Sequence, residues 1–251
     1  MQNVLAFTTT KLHPHKKFIS NEHSKTPYDY FNLGEHVGDN ISDVRNNRNV
    51  LLEFLPPNSN IQWLEQVHGA DVLLIEKHSN DILTADAMIT REKNIALAIM
   101  TADCLPILLT AKDGSEIAAV HGGWKPIAKN IIANTVDNMH SANEDIIAWL
   151  GPCIGELAFE VGEEVKLAFE NQSKAFLSAF TTINDPLLLQ KKNSEIKYLA
   201  NLAMIAKVQL NALGIDNIHH LNHCTYFDEQ QYYSFRRNNI TGRMASVICR
   251  V

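Results

Sequence analysis

Residues 95–111, IALAIMTADCLPILLTA, decide how this chain is read. Two runs of strand length, IALAIM and PILLTA, are almost continuously apolar, the pattern of strands covered on both faces. Between them stand Thr101, Ala102, Asp103 and Cys104. A core strand has no use for an aspartate beside a thiol. Either Cys104 is a small buried apolar residue next to a turn, or the chain breaks there to present its sulfur to something.

The same grammar continues on both sides. Downstream, IAAVHGGWKPIAKNIIANTVDNM (117–139) reads as a strand, a glycine turn and one helix, with Ile127, Ile131, Ile132, Thr135 and Met139 along one face. Upstream, IQWLEQVHGADVLLIE (61–76) reads as two strand pieces joined at HGAD, followed by the short segment ADAMIT (85–90). A helix is expected from about Ser42, and others after Gly162 and across SEIKYLANLAMIAKVQLNALGI (194–215), stopped by Gly214. DIIAWLGPCIG, IHHLNHCTYF and MASVICRV read as strands. Strands and helices alternate through the middle, so the class is α/β, or mixed α+β, with mixed sheets flanked by helices.

The 251 residues, 45% of them hydrophobic, predict one domain, 1–251, with a core large enough to need no disulfide staples. A net charge of −6 with no basic block argues against a nucleic-acid partner; the Lys-Lys pairs at 16–17 and 191–192 read as solvated loops. MQNVLAFTTT has neither the basic nor the apolar region of a signal peptide, and no apolar run is long enough to span a membrane. The four cysteines are widely spaced. Together these features predict a soluble cytoplasmic protein with reduced thiols.

Three residues share one kind of address. His68 precedes a glycine turn after a strand, Cys104 sits at the break between strands, and His121 ends IAAV before GGW. Two imidazoles and a thiolate are a sensible zinc ligand set that leaves a fourth position open. The spacing carries no CxxC or HExxH clustering, so buried core residues remain the alternative. Lys125, at the helix start after HGGW, and Arg236 in YYSFRRNNITGRM (232–244) are candidates for holding an anion. If that last stretch is a strand, Arg236 and Arg237 point to opposite faces.

QVHGADV, ADAMIT, TADCLPILL, AAVHGGWKPIAKNII, WLGPCIG, FEVGEEV and CTYFDEQQYYSFRRNNITGRMASVI, in this order, resemble the YfiH family, also called the laccase-domain or multicopper polyphenol oxidase-like family. The likeness runs from FNLGEHVGD (31–39) to the C-terminus. The resemblance implies a layered α/β domain and a zinc centre of His68, Cys104 and His121. It implies a purine nucleoside phosphorylase acting on adenosine, inosine, guanosine or methylthioadenosine with inorganic phosphate, with adenosine deamination as a second activity. On that reading Asp103 is a candidate for acid/base duty or for supporting Cys104, Arg48 joins Lys125 and Arg236 as anion candidates, and Asn32 is expected to line the pocket. One departure stands out: the family's Gly-Trp-Arg-Gly is here Gly-Trp-Lys-Pro, where lysine keeps the charge without the guanidinium fork.

Two other chemistries use the same residues. Copper-dependent phenol oxidation is one, although a multicopper centre needs many more histidines than this chain offers and the one His-x-His pair, His13 and His15, lies outside the matched region. A Cys–His hydrolase with Cys104 as nucleophile is the other.

Overall fold

The computed structural model describes residues 3–15, 27, 28, 30–183 and 196–251; both Lys-Lys pairs lie outside these. In chain order, β1 (Val4–Thr8) and α1 (Ile41–Leu52) precede the short strands β2 (Asn60–Gln62), β3 (Leu64–Glu65), β4 (Val72–Leu74) and β5 (Leu83–Thr84). The central strands are β6 (Ala87–Thr90), β7 (Ile95–Thr101), β8 (Leu105–Ala111) and β9 (Ile117–Gly122). Helices α2 (Trp124–Ala128) and α3 (Ile131–Asp137) follow, then β10 (Ile146–Leu150), β11 (Glu160–Gly162) and α4 (Glu163–Glu170). The chain continues through β12 (Phe180–Thr182), β13 (Lys197–Ala200), α5 (Leu202–Ala212), β14 (Ile218–His220) and β15 (Met244–Arg250).

Two mixed sheets dominate. One has the order β1-β15-β7-β2, the other β14-β10-β8-β9-β6-β4. The quoted stretch joins them: β7 belongs to the first sheet and β8 to the second, and residues 102–104 make the crossing. The sheets stack face to face, with Leu97 and Ile99 of β7 packed with Leu108 of β8 and Ile117 and Ala119 of β9. The alternate residues face outward. Ala96 and Ala98 pack with Leu51 of α1, while Leu105, Ile107 and Leu109 pack with residues of α2, α3, α4 and α5. The layers therefore run helix, sheet, sheet, helix. This is why every residue of β7, β8 and β9 is buried, and why these strands read as apolar runs rather than as alternation.

The structure corrects three local expectations. The helix after HGGW is two helices, broken where Asn130 takes a left-handed conformation, φ 65°. Asparagine tolerates that region better than other residues with a side chain. The helix expected across 194–215 begins only at Leu202, because Lys197–Ala200 pairs with both β11 and β12 and Asn201 caps the helix by accepting from Met204 N–H at 2.9 Å. Residues 232–243 are turns and irregular chain, not a strand, so Arg236 and Arg237 are not split across two faces of a sheet. Both guanidinium groups bond to backbone carbonyls: Arg236 to those of Ala158 and Glu160, Arg237 to those of Thr225, Tyr226 and Tyr232.

Candidate metal centre and cavity

His68, Cys104 and His121, far apart in sequence, meet at one end of the six-stranded sheet, with one donor atom from each lying within 4.8 Å of the others. His121 is on β9, Cys104 immediately precedes β8, and β8 and β9 are paired neighbours. His68 arrives from the loop between β3 and β4 with φ 57°, an uncommon conformation for a residue with a side chain. Its Nε2 lies 3.9 Å from the Cys104 sulfur, and its ring stands edge-on to that of His121 at 4.6 Å.

A buried carboxylate holds this arrangement. Asp86, with no exposed surface, sits just before β6 beside β9. Its Oδ1 is 2.7 Å from His121 Nδ1 and accepts from the His68 N–H at 3.0 Å. Its Oδ2 accepts from the N–H groups of Val67 and Gly69 at 3.2 and 2.6 Å. An ionised carboxylate only accepts, so the His121 Nδ1 carries the proton and Nε2 is left for Cys104 or a metal. From the other side, Lys129 Nζ donates to the His68 carbonyl at 3.1 Å and Asn134 donates to that of Ala70 at 3.0 Å.

The charges agree with this geometry. Burial raises the Asp86 carboxyl, but the His121 hydrogen bond and the loop N–H groups outweigh it and hold the group below its usual range. Burial also raises the Cys104 thiol; His121 and His68 more than reverse this and bring it down to about 6. Burial works against a charge on His121, yet the Cys104 thiolate and Asp86 lift it to about 9. The site is built for a thiolate facing positive charge, which a proton or a metal cation supplies. The space supports a metal as well: a Cβ built on Gly123 would lie 3.2 Å from both the Cys104 sulfur and His68 Cδ2. Glycine at this helix cap leaves the donors room to converge.

The cluster opens into a cavity of about 310 Å³, large enough for a small organic ligand. Its apolar lining includes Trp124, Ile154, Phe159 and Phe235. The lining also includes His36, Arg236 and Arg243, with the Arg236 guanidinium 5.5 Å over the Phe159 ring and that of Arg243 6.0 Å over the Phe235 ring. Among the described residues neither arginine is paired with a carboxylate. The Arg243 side chain donates to the Thr241 and Gly242 carbonyls through Nη1 alone. Burial, then the charges of Arg243 and Arg48, lower the pKa of His36.

The other sequence candidates have different surroundings. Asp103, φ 94°, accepts from Thr225 Oγ1 at 2.6 Å and from the Arg236 N–H at 2.7 Å, so its carboxylate ties the strand crossing to the loop that carries Arg236. Asn32 is fully buried; its Oδ1 accepts from the Gly34 and Arg243 N–H groups, which places it behind Arg243 rather than on the cavity wall. Arg48 donates to the Leu33 carbonyl and stacks 4.1 Å over Trp63, in a neighbouring groove. Lys125 is exposed on the five-residue α2, outside the cavity lining. Sequence reasoning overlooked Asp86, His36 and Arg243. The signal for Asp86 was its place just before a strand in a segment otherwise apolar.

Residues 19–251 match the family described as multi-copper polyphenol oxidoreductase laccase. The chain belongs to this family. Within it, a Haemophilus influenzae protein named purine nucleoside phosphorylase is 41% identical, covering 98% of this chain and 94% of its own length. Escherichia coli K12 purine nucleoside phosphorylase YfiH is 40% identical, with 90% and 88% covered. Among solved structures, Neisseria meningitidis protein NMB0706 superposes with a TM-score of 0.86 at 32% identity, over 100% of this chain and 95% of that one. YlmD from Geobacillus stearothermophilus gives 0.82 at 29%, over 98% and 92%. This family member thus shares the mixed-sheet architecture of its structural neighbours. Among its described residues, no helix is long and apolar enough to cross a membrane.

Proposed function

We propose that this protein is a zinc-dependent purine nucleoside phosphorylase of the cytoplasm, cleaving adenosine, inosine, guanosine or methylthioadenosine with inorganic phosphate. The observation that carries the reading is one cavity holding three things: a His–Cys–His donor set, two arginines without carboxylate partners, and an aromatic wall. The names of the relatives point the same way.

In phosphorolysis a phosphate oxygen forms a bond to ribose C1′ as the bond from C1′ to the purine nitrogen breaks. The chain must hold a doubly charged nucleophile and stabilise a leaving base. Arg243 and Arg236 hold the phosphate; Arg243 Nη2 and Nε are not engaged by the carbonyl contacts of Nη1. His36 beside them gains a proton as the anion arrives. Phe159, Phe235 and Trp124 offer the aromatic faces on which a base packs. Asp103 is a positioning residue for Cys104 and Arg236. His68, Cys104 and His121 would hold a zinc ion, which when bound would supply the Lewis acidity that adenosine deamination as a second activity would need.

A second reading rests on a specific observation: Cys104, His121 and Asp86 have the order and contacts of a nucleophile, base and orienting carboxylate. Metal content separates the two. Product analysis by HPLC on metal-quantified protein, with adenosine and inosine, each with and without phosphate, tests the proposal. Phosphate-dependent release of base and ribose 1-phosphate, lost in His68→Ala and Cys104→Ala together with stoichiometric zinc, supports it. No turnover by zinc-loaded protein overturns it.

A further inference from the structure

We propose that Cys153 and Cys224 form a peroxide-responsive thiol pair that closes to a disulfide behind the loop carrying Cys104. All four cysteines are free in this structure. Cys153 and Cys224 are direct partners in an isolated parallel bridge, in which the Cys153 N–H donates to the His223 carbonyl at 3.3 Å and the Thr225 N–H donates to the Cys153 carbonyl at 2.9 Å. Adjacent strands lie about 4.8 Å apart. Disulfides span Cα separations of roughly 4.4–6.8 Å, and the general spacing of bridged chains falls in that range; closure needs the Cys153 sulfur to turn from the Ile154 carbonyl, which it approaches at 3.5 Å.

The side chains also share a side. As direct partners in the bridge, Cys153 and Cys224 lie opposite one another and their side chains leave on the same face. A Cβ built on Gly155 would meet the Cβ and sulfur of Cys224, each at 3.1 Å. Cys224 therefore packs against Gly155, two residues from Cys153, in space that glycine leaves open. The Gly155 N–H donates to the Cys224 sulfur at 3.1 Å and fixes it there. Cys224 is half-buried and Cys153 buried, which sets the order of events. Peroxide oxidises the Cys224 thiol to a sulfenic acid with release of one water. The Cys153 sulfur then attacks that sulfur, and the hydroxyl leaves with the Cys153 proton as a second water. Two thiols are oxidised and one hydrogen peroxide is reduced.

The location gives the pair its consequence. Ile154, next to Cys153, donates its N–H to the Asp103 carbonyl at 2.9 Å, and Thr225, next to Cys224, donates to the Asp103 carboxylate. Closure fixes the two segments that hold Asp103, one residue from Cys104.

The test is differential alkylation and peptide mapping of the full, metal-loaded protein after reduction, desalting and exposure to a few equivalents of hydrogen peroxide. The expected result is a linked peptide joining residues 153 and 224, lighter by two hydrogen atoms, with Cys104 and Cys249 still alkylated. Cys153→Ser should leave a sulfenic acid at Cys224 that dimedone traps. Cys224→Ser, at the less buried position, should abolish the link while the protein keeps its melting temperature. Full alkylation of both thiols after peroxide, or a link through Cys104, would overturn the proposal.

Discussion

The Asp86 carboxylate lies 2.7 Å from His121 Nδ1, and the same oxygen receives the backbone N–H of His68, so one buried group sets the position of both histidines. Removing the charge while keeping the shape should loosen both at once. Asp86→Asn is expected to weaken zinc binding by about 10–100-fold, the usual effect of losing an outer partner of a metal ligand. Competition with a chromophoric chelator measures this. An affinity equal to wild type would show that Asp86 serves only to fold the 67–69 loop.

Neighbouring glycines should fail in different ways. A Cβ at Gly123 reaches the Cys104 sulfur and His68 ring at 3.2 Å, in a backbone conformation with φ −66° that alanine adopts freely. Gly123→Ala should therefore fold normally and lose metal and activity. A Cβ at Gly122 would lie 2.5 Å from the Leu105 carbonyl oxygen, a rigid strand neighbour. Gly122→Ala should cost stability, by about 1–3 kcal/mol from overpacking. Calorimetry and zinc analysis on the pair separate the effects; equal melting temperatures with equal metal content would contradict both assignments.

What the sequence disclosed follows from what each residue does locally. The apolar runs of β7 and β8 are visible because burial on both faces removes polar residues from them, and Cys104 is visible because it interrupts them. His68 and His121 are visible because glycines follow them. Lys197–Ala200 was invisible as a strand, since its apolar residues continue the helical pattern of α5 and only Asn201 marks the boundary. Arg243 was hidden differently. It lies in an irregular segment whose course is set by contacts far away in sequence, such as the Asn32 side chain that receives its N–H. Lys125 drew notice through a local glycine-and-helix pattern, but only the tertiary arrangement determines which cation faces the cavity.

Thiol reactivity should report the electrostatics of the centre directly. In metal-free protein the Cys104 thiol is depressed to about 6, so its thiolate forms as pH rises through that value. The rate of iodoacetamide modification at Cys104 should climb around pH 6 and level off, where an ordinary cysteine would still be climbing near 8.5. A further change is expected around pH 9, as His121 loses its proton and the thiolate loses its partner. His121→Ala should move the first midpoint upward. A wild-type midpoint near 8.5 would mean that the imidazoles do not stabilise the thiolate.

The two cations nearest the question of phosphate should behave oppositely. Arg243 lines the cavity, with Nη1 tied to carbonyls and its charge close enough to His36 to help lower that imidazole's pKa, whereas Lys125 is exposed and outside it. Hydrogen bonds between charged partners contribute about 1.5–3 kcal/mol, so Arg243→Ala should raise the KM for phosphate by roughly 10–150-fold. Arg243→Lys should recover only part of this, because an ammonium keeps the charge without the fork. Lys125→Ala should leave the phosphate KM within about twofold, as expected for a surface charge in high dielectric. Steady-state kinetics at saturating nucleoside gives all three values. A large effect at Lys125 with none at Arg243 would move the anion site to the mouth of α2 and reverse the assignment made from the cavity.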